Sequence, residues 1–198
     1  MMKRTGIWAA LTVALSTVLF SACAQHPAYR PRVDPAQLII SQSQIPDTHC
    51  GARGLKDLRQ ASSVGEKESR GSKWWTLRSW EAEHGCEVSM AAYSYPATED
   101  AENNFTRNSP QAVYGSSWPS EPTEVDAPTS LGGNKVQILC LGGNADVGCS
   151  DWIYWARYGD TLVNVEVFDF ATPGIRLDKE TFLEFVGIAD RKVVNELA

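Results

Sequence analysis

Between residues 73 and 95, aromatic and apolar side chains recur with the two-residue period of a strand, broken by Ala82-Glu83-His84-Gly85. The pattern predicts a hairpin of strands 73–81 and 86–95. With Glu81 opposite Cys86, one face gathers Trp75, Leu77 and Ser79 with Cys86, Val88, Met90 and Ala92, and this is the expected core side. The other face carries Trp74, Thr76, Arg78 and Trp80 against Glu87, Ser89, Ala91 and Tyr93. A second alternation, over 151–158 and 161–170, flanks Gly159-Asp160, a two-residue turn of the primed type. Tyr158 opposite Thr161 sets Trp152, Tyr154 and Ala156 against Val163, Val165 and Val167. Ile153, Trp155 and Arg157 then face Glu166, Asn164 and Leu162 on the reverse side. A preceding strand over 135–141 presents Val136, Ile138 and Cys140 on one side.

Helical spacing appears elsewhere. Phe182, Phe185, Val186, Ala189 and Val193 form one stripe over 178–196, where Asp178 or Thr181 can cap and Thr181 with Glu184 fits a capping box. Residues 98–108 open with Glu99 and Asp100, which suit a helix N-terminus. Leu55 and Leu58, three apart after Asp47 and Thr48, predict a short helix over 49–60, followed by a small, polar loop over 61–72. Residues 109–130, with four prolines, read as a long crossover. The order is α-β-β-α-β-β-β-α. It implies an α+β domain: an antiparallel sheet of about five strands with helices packed on it. Leu-Gly-Gly-Asn occurs at 131 and again at 141, a spacing too short for a solenoid repeat.

The N-terminus has a different pattern. Lys3 and Arg4 precede an uncharged run over 7–20, shorter than the roughly 20 residues of a spanning helix and fitting the h-region of an export signal. The run ends in Phe20-Ser21-Ala22-Cys23. This resembles the lipobox of bacterial lipoproteins, in which the cysteine receives a diacylglycerol and becomes residue one. Phe20 stands where that motif usually has Leu. Cleavage after Ala24 by an ordinary signal peptidase also fits Ala22-Cys23-Ala24, and a retained anchor is a third outcome. Two or three acyl chains hold a protein stably where one does not. The expected organisation is signal peptide 1–22, lipidated proline-rich tether 23–48 and one domain 49–198. Pro27, Pro31, Pro35 and Pro46 mark the tether, which when fully extended reaches roughly 80 Å. Leu38-Ile39-Ile40 interrupts it as a candidate short docking strand.

Loss of residues 1–22 removes Lys3 and Arg4 and takes the formal charge from −6 to −8. An acidic balance argues against nucleic acid as a partner. Cys50, Cys86, Cys140 and Cys149 remain beyond Cys23 and read as two disulfides in an exported chain. Three connectivities are open. Cys50–Cys86 and Cys140–Cys149 are favoured because each pair lies within one local unit. Free buried thiols are the alternative, and the spacing does not suit zinc.

The layout resembles small actinobacterial cell-envelope lipoproteins with a PsbP-like or extracellular sensor-type domain. The resemblance rests on Cys50, Cys86, Leu131-Gly132-Gly133, the segment Tyr158-Gly159-Asp160-Thr161-Leu162-Val163-Asn164-Val165 and the final helix 178–196. It covers most of residues 48–196. It implies a first-helix cysteine paired with a strand cysteine, and a binding role at the envelope. It carries no catalytic residue over.

Chemical signatures are sparse. The sequence has no Gly-x-Ser-x-Gly, Ser-x-x-Lys, HExxH or Walker loop, and no cofactor motif. His49 beside Cys50 makes a Cys-His pair conceivable, but a cysteine held in a disulfide cannot serve. Asn144, Asp146 and Asp151 lack the spacing of a calcium loop. Arg53, Lys56, Arg59, Lys67, Arg70, Lys73 and Arg78 against Asp57, Glu66 and Glu68 give a net +4 segment. It could face anionic lipid or wall polymers, or form a solvated face. Trp74, Arg78, Trp80, Trp155, Asn164 and Glu166 make a candidate binding surface of aromatic and polar groups, unless helices cover it.

The expectation is a non-catalytic protein, lipid-anchored through Cys23 on the extracytoplasmic face of the cell membrane. It would bind a small ligand or an envelope protein, without a cofactor or metal. Two alternatives remain: an enzyme acting on wall glycan through Glu166 and Glu87, and an inhibitor or immunity protein.

Overall fold

A computed structural model describes residues 29–46, 56–81, 86–114, 121–146, 148–169 and 177–198. The expected signal peptide, Cys23 and Cys50 lie outside them. Alternating segments form strands β1 (Lys56–Ser69), β2 (Ser72–Glu81), β3 (Cys86–Ser94), β4 (Thr123–Val125), β5 (Lys135–Leu141), β6 (Asp151–Tyr158) and β7 (Thr161–Asp169). They make one seven-stranded sheet in the order β1-β2-β3-β7-β6-β5-β4. Every neighbouring pair is antiparallel. Helices α1 (Thr98–Arg107), α2 (Pro110–Tyr114) and α3 (Lys179–Leu197) complete the α+β fold.

The second hairpin has the expected register. Tyr158 pairs with Thr161, Trp155 with Asn164 and Ile153 with Glu166. Gly159 takes a positive φ of 59°, which a side chain at that turn would resist. On β5, Ile138 opposes Tyr154 and Cys140 opposes Trp152, so the side with Val136, Ile138 and Cys140 faces the core as expected.

The first hairpin departs by one residue. Glu81 pairs with Glu87, not Cys86, so Trp80 opposes Val88 and Leu77 opposes Ala91. A one-residue slip sends every side chain of a strand to the other face. Trp80 therefore joins Val88 and Met90 in the main core, while Trp75 and Leu77 pack with Ala91 and Tyr93 on the opposite side. Unlike Gly159-Asp160, the segment after Glu81 carries no two-residue turn to fix the register.

Two further strands raise the count from the expected five. Residues 56–60, assigned to a helix by Leu55 and Leu58, and residues 61–69, assigned to a loop, together form β1. Two leucines three apart are too short a pattern to establish a helical period. An edge strand needs only a backbone ladder on one side, and charged residues along it discourage further pairing. A tight turn at Arg70 and Gly71, both at positive φ, returns the chain into β2. Within the expected crossover, α2 and β4 form, and Val125 pairs with Ile138.

Helix α3 seals one face of the sheet. Asp178 is its N-cap and accepts the Thr181 amide at 2.8 Å. The bonds from Thr181 hold the Asp178 carboxyl below its ordinary pKa. Phe182, Phe185, Val186, Ala189 and Val193 are fully buried, and Phe182 stacks on Trp152 at 5.1 Å between centroids. Burial of each large apolar side chain is worth about 1.5–3 kcal/mol. The segment 29–46 lies against this same core. A 3-10 turn over Pro35–Leu38, capped by Asp34, buries Leu38, and Ile40 and Ile45 follow it inward. Leu38 and Ile40 thus dock through a turn and extended backbone, without pairing as a strand.

Candidate functional site

The six candidate surface residues do not share a surface. Trp74, Arg78 and Trp80 lie on the α3 side of the sheet, and Trp155, Asn164 and Glu166 on the other, a consequence of the one-residue slip in β2. Trp80 and Trp155 are completely buried. Trp155 is the seat of α1. Its indole N–H donates to the Phe105 carbonyl at 2.9 Å, and its ring stacks on Phe105 at 6.0 Å. Tyr93 meets it edge-on, and the Arg70 guanidinium lies 5.3 Å from its centroid. Asn164 donates to Glu166 Oε1 at 2.5 Å, both side chains being buried. In the basic segment, Arg70 donates to the Asn108 carbonyl at 2.7 Å and Arg78 covers the Trp80 ring, while Lys73 is exposed. The side chains of Arg53, Lys56, Arg59 and Lys67 lie outside the described set. Glu87 and Glu166 share one face in diagonal positions on adjacent strands, since Ser89 opposes Glu166.

Cys140 and Cys149 form a disulfide with Cα atoms 5.5 Å apart, closing the loop between β5 and β6 as expected. Cys86 is also disulfide-bonded, with its partner outside the described residues.

The sheet end that carries the Gly159-Asp160 turn has a more open geometry. Tyr29 lies there between two cavities. One, of about 450 Å³, is lined by Tyr29, Arg32, Asn134, Tyr158, Asp160 and Leu197 among others. The second, of about 430 Å³, lies towards Trp74, Lys73 and Glu68. Tyr29 is held by its backbone: Trp74 Nε1 donates to its carbonyl at 3.0 Å, and the rings lie 5.7 Å apart. Its hydroxyl is buried without a hydrogen-bond partner. Burial, with the Asp160 carboxylate nearby, pushes the phenol up to about 12. Arg32 donates to the Ala198 carbonyl at 3.2 Å, joining this arm to the end of α3. Asn134 braces the rim, accepting the Gly159 amide at 2.6 Å.

Beneath the rim, Asp190 projects from α3 into the core. It accepts the Tyr158 hydroxyl at 2.6 Å and the Gly132 amide at 3.0 Å, and Tyr154 and Tyr158 hydroxyls are 2.5 Å apart. Burial raises both phenols well above their ordinary value. The network ties α3 to β6 and to the loop before β5, and it leaves the carboxylate little capacity for other chemistry. Sequence reasoning passed over Asp190, Asn134 and Tyr29. A carboxylate one position beyond Ala189, on the edge of the apolar stripe, was the available signal for Asp190. Tyr29 had none, being read as tether.

Among the described residues, no group of three or more His, Cys, Asp or Glu is placed to hold a metal ion. No helix among them is long and apolar enough to cross a membrane. No family model matches the sequence, and no curated protein does. Among solved structures, the extracellular domain of PknH from Mycobacterium tuberculosis is similar over 85% of this chain and 98% of that one, with 10% identity and a TM-score of 0.49.

Proposed function

We propose that this is a non-catalytic envelope protein, lipid-anchored through Cys23 on the extracytoplasmic side, that binds a small ligand or protein partner at the Tyr29 end of its sheet. The observation that carries the reading is the pair of cavities of about 450 and 430 Å³ meeting at Tyr29. Concave sites of this size with a few convergent polar groups are where small molecules bind. Arg32, Asn134 and Asp160 supply such groups, and Tyr158, Val194 and Leu197 supply apolar wall. The buried carboxylate nearest the site, Asp190, is committed to holding the fold.

Native mass spectrometry of protein extracted from membranes tests this. The expected species carries acyl chains on Cys23 and a co-purifying envelope molecule or partner, and the latter is lost in Asn134→Ala with Arg32→Ala. An acylated protein that retains its companion in that variant would place binding elsewhere.

The diagonal placement of Glu87 and Glu166 favours one second reading, hydrolysis of wall glycan by a carboxylate pair. Diagonal neighbours sit about 7–8 Å apart at the backbone, within reach of the separations that glycosidases use. Glycan turnover that vanishes in both Glu166→Gln and Glu87→Gln would replace the binding reading.

A further inference from the structure

We infer that the Tyr29 end of the sheet is the membrane-facing surface of the lipidated protein, held within about 20 Å of the bilayer; this rests on the proposed acylation of Cys23. The argument is one of chain length. Tyr29 is fixed by the Trp74 indole, Arg32 by the α3 terminus and Leu38 by complete burial. The leash is therefore not the whole segment to residue 48. It is residues 24–28, which even when fully extended span about 20 Å between Cys23 and Tyr29.

That length is short against the domain. The eight residues of β6 alone run roughly 25 Å from the Tyr29 end to the opposite end. The opposite end carries the Cys140–Cys149 bridge and the start of α3. An inverted placement, with that end on the bilayer, would need a leash longer than the domain is tall. The leash cannot supply it. Arg30 and Arg32, both exposed where the chain leaves the domain, suit anionic headgroups. The cavity lined by Tyr29, Asp160 and Leu197 then faces the gap above the lipid, where its ligand must be small or membrane-borne. The disulfide end faces outward and is free for larger partners.

The test uses acylated full-length protein in nanodiscs with a paramagnetic headgroup lipid, read by methyl NMR. Val33, Val194 and Leu197 at the near end should broaden many-fold more than Leu141 and Leu177 at the far end. A flexible Gly-Ser insert of 20 residues before Tyr29 adds roughly 25 Å of average reach and should erase the contrast. Equal or reversed broadening in the acylated protein would overturn the orientation and leave the anchor standing. A protein whose Cys23 carries no acyl mass would overturn both.

Discussion

The Trp74 indole N–H donates to the Tyr29 carbonyl across 45 residues of sequence, at 3.0 Å, and fixes the N-terminal arm to the second strand of the sheet. The bond goes to backbone, so it holds the arm's position independently of the Tyr29 side chain. Trp74→Phe keeps an aromatic ring beside Tyr29 and removes the donor together with part of the ring area. A loss of about 0.5–1.5 kcal/mol is expected. Faster amide exchange confined to residues 29–33, with the sheet unchanged, is the signature to look for.

The core anchor of the arm is Leu38, completely buried between the sheet and α3. Leu38→Ala should cost about 2–5 kcal/mol in global stability, as for other large-to-small changes in a core. A value near zero by chemical denaturation would mean that residues 35–45 are a leash after all.

How much of this was legible depends on how tightly each segment's chemistry limits its options. Gly159-Asp160 permits one compact turn, and the register of β6 on β7 follows from it residue by residue. The segment after Glu81 permits turns of more than one length, and the chosen one put Trp80 on the wrong face. β1 has almost no large apolar side chains, so its strand character lies in the ladder to β2 and not in its own pattern. The candidate surface divides for two reasons: the slipped register carries Trp80 into the main core, and α1 covers Trp155 on the face where the second hairpin was expected to place it. The cavities at Tyr29 depend on a proline-rich segment folding back, which no local periodicity encodes.

Tyr29 also gives the arm a pH dependence. Its phenol ionises near 12 when docked, against an ordinary 10, because burial and Asp160 disfavour the anion. The raised value means that docking is fully favourable below about 10 and weakens as pH rises towards 12. The group is partly exposed, so solvent screening reduces the effect. Spectrophotometric titration should find one high-pH phenol fewer in Tyr29→Phe, and release of the arm above pH 10, read by a fluorophore attached at position 30, should be absent in that variant.

Asp190 should be intolerant of truncation for a reason separate from charge. Asp190→Ala removes the acceptor of the part-buried Gly132 amide and leaves the buried Tyr158 hydroxyl with only the Tyr154 hydroxyl as partner, for a loss of about 1–3 kcal/mol. Asp190→Asn keeps one carbonyl oxygen for Tyr158 and should recover part of the loss. A stability order of wild type, Asn, Ala is expected in urea. If Ala were no worse than Asn, the carboxylate would not be the clasp between α3 and β6.

The Cys140–Cys149 bridge closes a short loop, its partners being 9 positions apart in sequence. Replacing both cysteines by Ala should lower stability by about 2–3 kcal/mol, chiefly by freeing the unfolded chain. The bridge sits at the end of the sheet opposite Tyr29, beside the backbone pairing of Cys149 with Leu177 that starts α3. Its loss should therefore loosen residues 141–150 and the first turn of α3, and leave the Tyr29 cavities and any ligand affinity unchanged. Hydrogen exchange on the double variant reads both regions at once. Loosening that spread to residues 29–33 would show that the two ends of the sheet are mechanically coupled.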